Sequence, residues 1–204
     1  MTTPHRLCSS DDVKQVLGIN DTVDDTQIDL AVQAASAMIE QYCDRQFAQD
    51  QTASNRVYVA EKPWLVRVDD FATTSGFVLA TDPGENGSFS QTWTSSDYQL
   101  EPLNGYNYGQ PWPYNTIRAI ESLEFPLGYG RALVRVTAKW GWATIPAAVR
   151  QATVIQSITV FKSPDAPFGA TPFAETGILR LRSALHPTAA ALLTPYRLTP
   201  TLVG

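Results

Sequence analysis

The sequence is poor in the residues on which most site chemistry depends. It holds two cysteines, Cys8 and Cys43, and two histidines, His5 and His186, in 204 residues. Without a CxxC spacing the cysteines read as small buried hydrophobes rather than as a disulfide. A metal site built from His and Cys would need distant residues to converge, and nothing in the spacing brings them together, so neither metal nor cofactor is expected. No apolar run approaches the roughly 18 residues of a membrane span. The segment Met1 to Asp12 has one Arg and no apolar core, which argues against a secretory signal and for a cytoplasmic origin.

Catalytic signatures are equally scarce. There is no GxSxG elbow, and either histidine of a Ser-His-Asp arrangement would come from a terminal segment. Gly128-Tyr129-Gly130 lacks the third glycine of a dinucleotide fingerprint and no Walker lysine follows it, so it reads as a turn. Glu121 and Glu124 are the nearest carboxylate pair outside helix caps. On the strand expected there, their odd spacing puts them on opposite faces. Asp11-Asp12 and Asp24-Asp25 sit where helix starts favour acceptors and negative charge, and Asp69-Asp70 is the remaining acidic doublet. No catalytic, metal or cofactor residue is assigned, and an enzyme is not expected.

What the chain does have is ordinary globular composition, 44% apolar and 17% charged, with an uneven charge distribution. Up to Gly130 there are 18 acidic and 7 basic residues; from Arg131 on there are 2 and 8. Such polarity concerns partners, and an acidic surface repels nucleic acid.

Helix signals open the chain. Ser9-Ser10-Asp11-Asp12 is a capping-box pattern before Val13, Val16 and Leu17, and Gly18 suits the helix end. Thr22-Val23-Asp24-Asp25 starts a second helix over about 24–44, with Ile28, Ala31, Val32, Ala35, Met38, Ile39, Tyr42 and Cys43 on one stripe. Its reverse side carries Leu30, Ala34 and Ala37, mostly small enough for another helix to approach, although in an isolated domain the alanines could simply reflect helix propensity. After Ser54 the period becomes two, with strands expected around 56–59, 64–69, 76–81, 89–93, 98–101, 115–123 and 132–140, forming an antiparallel sheet or small barrel. A third helix, about 145–162, starts at Thr144-Ile145-Pro146 with Thr144 as cap and Pro146 in the first turn. It is apolar on both sides. Val149 and Val160 lie opposite Ala148, Ile155 and Ile158, so one side can meet a neighbouring subunit or both can be buried in the monomer. Residues 164–204 begin Pro- and Gly-rich and continue with Arg180, Arg182 and Arg197, an extended arm with a short helix near 187–193. The loop from Asn104 to Tyr114 holds Tyr106, Tyr108, Trp112 and Tyr114, which suits a protein interface, packing on its own sheet, or sugar stacking.

The order of these elements resembles the head-tail adaptor, or head-completion connector, proteins of long-tailed bacteriophages. The resemblance spans roughly Cys8 to Ser163. It is carried by Ser10-Asp11-Asp12-Val13-Lys14 with Leu17-Gly18-Ile19, by Ile39 to Phe47, by Tyr98-Gln99-Leu100-Glu101-Pro102, and by Val136 to Trp142 followed by Ile145-Pro146. It implies an α+β fold. The N-terminal helices and late helix would form a bundle in an adaptor domain at 1–163, with a β-rich insertion at about 55–141; the basic arm at 164–204, beyond the resemblance, is the candidate portal-docking element because flexible segments can fold onto a partner. It also implies a twelvefold ring of identical copies in the virion neck, made in the host cytoplasm. Portal protein and a stopper or other tail-completion protein would be its partners, and genomic DNA would pass through without sequence-specific binding. Leu30, Ala34, Ala37, Tyr106, Tyr108, Trp112, Tyr114, Val149, Val160, Arg180, Arg182 and Arg197 are the expected interface residues. The alternatives are a carbohydrate- or receptor-binding module, favoured by five Trp and eight Tyr, or a stopper; the two capped opening helices argue against both.

Overall fold

The first helix, α1 (Ser10–Leu17), is fixed at both ends by local chemistry in the computed structural model, which describes residues 5–107, 109–163 and 185–198. The Ser9 hydroxyl accepts from the Asp12 N–H at 3.1 Å while the Asp12 carboxylate accepts from the Ser9 N–H at 2.9 Å, the reciprocal capping box. Gly18 closes the helix at φ +70°. In α2 (Asp25–Cys43) the residues Ile28, Ala31, Val32, Ala35, Ile39 and Cys43 form the buried stripe. Complete burial of Ile28 and Ile39 contributes about 1.5–3 kcal/mol each. The α2 end is closed by Asp44 in the left-handed region, φ 52°.

Helix α3 (Ala147–Phe161) packs against both α2 and α4 (Pro187–Leu193). Its hydroxyls are internally satisfied, Thr153 donating to the Val149 carbonyl and Ser157 to that of Thr153. These helices make one compact unit, up to Arg45 and from Ile145 on. The described part of the expected arm includes α4, which this unit contains.

Residues 46–144 make the second unit. Its described residues form the strands β1 (Ser54–Tyr58), β2 (Leu65–Phe71), β3 (Val78–Thr81), β4 (Gln91–Trp93), β5 (Tyr98–Glu101), β6 (Tyr106–Asn107), β7 (Gln110–Pro111), β8 (Tyr114–Ala119) and β9 (Val134–Ala138). They form antiparallel sheets in the orders β1-β9-β3-β4 and β2-β8-β5, with β6-β7 as a small hairpin. Both larger sheets send side chains to one core, among them Val66, Phe71, Leu79, Ile117, Val136 and Trp140. The Trp140 indole donates to the Ser54 carbonyl at 3.0 Å, so its one polar group is paired. Where the chain enters and leaves this unit, the Asp50 N–H bonds the Trp140 carbonyl at 2.7 Å and Gly141, φ 101°, lies against the Ala48 backbone.

The chain is thus mixed α+β, and several boundaries differ from the sequence expectation. Pro146 is the residue before α3 rather than inside it, and no side chain caps that helix, so Thr144 has no capping role. Asp24 precedes α2 without a side-chain cap bond. The strand expected over 115–123 ends at Ala119, because Glu121 takes φ 59° in a turn. Glu121 and Glu124 are both exposed and off any strand, which replaces the opposite-face argument. Phe89, at φ 42°, similarly delays β4 to Gln91.

Candidate assembly surfaces

The outer side of α2 begins as a consequence of its inner one. With Ile28, Ala31, Val32, Ala35 and Ile39 turned inward, the 3.6-residue period turns Leu30, Ala34 and Ala37 outward, and all three are exposed. Leu30 is 61% exposed, a large aliphatic side chain left in water. These are three of the residues expected to meet another chain.

Around the first turns of α2, ion pairs hold α1 in place. Lys14 donates to the Asp25 carboxylate at 2.6 Å and to the Asp21 carbonyl at 2.5 Å. Its ammonium is raised above the usual lysine range, first by the Asp25 hydrogen bond. Arg6 grips Asp29 through two bonds at 2.9 and 3.1 Å, and the Ser10 hydroxyl also donates to that carboxylate. Asp29 is held below the usual carboxylate range, chiefly by the Ser10 hydroxyl and then by Arg6. Between the helices lies a groove of about 340 Å³ lined by Ser10, Asp11, Lys14, Asp25, Asp29 and Leu30, among others. Sequence reasoning missed this groove. Its signal was present, since Ser10 with Lys14 and Asp25 with Asp29 are i, i+4 pairs that share a helix face.

The other expected interface residues divide. Val149 is fully buried, so it cannot meet a partner; Val160 is half-buried. Trp112 is half-buried edge-on to Trp142, ring centroids 4.8 Å apart, and its N–H bonds the Gly105 carbonyl at 2.8 Å. Tyr114 packs on Phe71 at 5.6 Å. Those two rings therefore pin the loop to its own β unit, and Tyr106, 57% exposed, is the exposed ring among the loop's described residues. Arg197 is exposed with its guanidinium 4.6 Å over the Tyr42 ring, and the Leu198 N–H bonds the Cys43 carbonyl at 2.9 Å. Tyr108, Arg180 and Arg182 lie outside the described residues.

At least one carboxylate of each acidic doublet is engaged structurally, Asp25 by Lys14. Asp12 receives two bonds from Arg150, at 2.5 and 3.0 Å. Asp69 accepts from Arg56 at 2.5 Å and from the Tyr58 hydroxyl at 2.9 Å, while buried Asp70 accepts from the Trp142 indole at 2.8 Å. Among the described residues no group of three or more His, Cys, Asp or Glu is arranged to hold a metal ion. No helix among them is long and apolar enough to cross a membrane.

Residues 10–65, which run from α1 to the start of β2, match the family model described as phage gp6-like head-tail connector protein. A search of curated proteins found no match. Among solved structures, a chain in the neck of an empty GTA particle computed with C6 symmetry shares 14% identity at a TM-score of 0.61, covering 100% of this chain and 96% of that one. A chain in the neck of the native GTA particle computed with C12 symmetry also shares 14% identity, at a TM-score of 0.53, covering 100% and 99%. At that identity the structural likeness speaks for the fold, and the family match speaks for residues 10–65. The chain is thus similar to the phage gp6-like head-tail connectors over residues 10–65, and its fold is similar over its whole length to that of chains in GTA particle necks.

Proposed function

We propose that the chain assembles with identical copies into a closed ring, twelvefold in the finished neck, beneath the portal vertex. The ring joins the capsid to the stopper and tail, and the genome passes through it without sequence-specific binding. The observation that carries this reading is the connector-family match on residues 10–65, joined to a fold shared over the whole chain with neck proteins described at C6 and C12 symmetry. A cyclic ring requires each copy to offer two different complementary surfaces. The exposed α2 side with Leu30, Ala34 and Ala37 is one of them.

In this reading α1, α2 and α3 form the constant adaptor bundle, residues 46–144 are its β-rich insertion, and residues 164–204 dock on the portal. The role is non-enzymatic. The surplus of carboxylates before Gly130 suits a conduit, because an acidic wall does not retain the phosphate polymer that it guides. The protein is made in the host cytoplasm and ends in the virion neck.

The decisive experiment measures particle mass by light scattering, with negative-stain imaging, for the chain alone and with its portal protein. Rings with a central hole, free or on the portal, are expected. A chain that stays monomeric in both conditions overturns the proposal. Replacing Arg180 and Arg182 of the arm with glutamate, which leaves α4 and its packing on α3 in place, should abolish portal binding; undiminished binding removes the docking role of the arm.

A further inference from the structure

We infer that neighbouring copies in the ring join by the Arg197–Leu198 end of one copy entering the α1–α2 groove of the next, an inference that rests on the ring reading above. The groove has an apolar wall in Leu30, 61% exposed, and its three carboxylates, Asp11, Asp25 and Asp29, face the single ammonium of Lys14. Arg6 braces Asp29. Asp11 makes no ion pair among the described residues. The site is therefore acidic beside an unpartnered aliphatic surface, which matches a cation next to an aliphatic side chain.

The same helical unit presents that pair elsewhere. Arg197 and Leu198 are adjacent and exposed, and both are anchored to the last turn of α2, Leu198 through the Cys43 carbonyl and Arg197 over Tyr42. The groove lies at the first turns of that helix. From Leu30 to Tyr42 the helix rises roughly 18 Å, well beyond the reach of an arginine side chain, so a copy cannot fill its own groove in this way. Complementary features at opposite ends of one rigid helix favour a head-to-tail contact. Repeated between copies, that contact is the heterologous kind that closes a ring. Charge complementarity then fixes which end meets which, and added salt should weaken it.

The test uses the full chain under the conditions in which the wild type forms rings. Leu30→Arg puts a positive charge where Arg197 would enter, and Arg197→Glu reverses its partner. Each should raise the concentration needed for assembly by about tenfold or more, with helical circular dichroism and thermal midpoint unchanged because both side chains are exposed. Leu30→Arg combined with Arg197→Glu should restore rings. Wild-type assembly by both single variants overturns the inference and leaves the ring reading standing, as does loss in both singles without recovery in the double. A wild type that forms no ring, alone or on the portal, overturns the ring reading and this contact together.

Discussion

The Arg150 guanidinium reaches Asp12 through two hydrogen bonds, at 2.5 and 3.0 Å, and so fastens α3 to the first turn of α1 across 138 residues of sequence. Asp12 is also half of the Ser9 capping box, so one carboxylate serves a local and a long-range purpose. Its pKa is lowered, mainly by the Arg150 hydrogen bond and further by the Ser9 N–H and hydroxyl. A carboxylate with a depressed folded pKa stabilises the fold above its unfolded pKa, and that contribution disappears as pH falls through the folded value. Asp12→Asn should therefore flatten the acid limb of a plot of thermal midpoint against pH. Arg150→Ala, breaking an exposed pair, should lower the thermal midpoint only slightly.

Ser9→Ala removes the other half of the box and should cost about 1 kcal/mol in urea denaturation. An unchanged midpoint would mean that the α1 start is held by packing alone.

Gly141 sits at φ 101°, and a Cβ there would overlap the Ala48 carbonyl carbon and oxygen. Gly141→Ala should destabilise by at least about 1–3 kcal/mol, since both the backbone angle and the space are wrong. Tolerance of alanine in a melting experiment would contradict this packing.

Within α2, opposite faces should respond oppositely. Ile39→Ala empties a fully buried position and should cost about 2–5 kcal/mol. Leu30→Ala, on the exposed side, should change monomer stability by less than about 0.5 kcal/mol. Equal losses in the two variants would reassign the buried stripe.

Cys8 and Cys43 are buried, and desolvation raises each thiol to a pKa of about 11. Thiol reagents act on the thiolate, so labelling at pH 8 should be slow in the native chain and fast in denaturant. Rapid native labelling of either residue would show that its surroundings open.

The first two helices were legible from different signals, caps in one and periodicity in the other. Ser9 and Gly18 bracket α1, and the Ile28 to Cys43 stripe repeats at helical spacing. Strand positions were legible from alternation, whereas pairing was not: β1 lies beside β9, with Ser54 opposite Ala138, and local period carries no information about a partner so distant. The exposed side of α2 followed from its buried side. Val149 did not, since an apolar stripe reads the same whether another helix of the chain or another subunit covers it. The α1–α2 groove escaped because its pairs, Lys14 with Asp25 and Arg6 with Asp29, join separate elements.

The bond from the Asp50 amide to the Trp140 carbonyl brings the entry and exit of the β unit together. A segment closed at its own neck behaves as a cassette: chain inserted or removed beyond that point alters what hangs from the stem, and closure cost grows only with the logarithm of length. A chain built on this plan can therefore take up or give up residues beyond the stem while the stem itself stays closed.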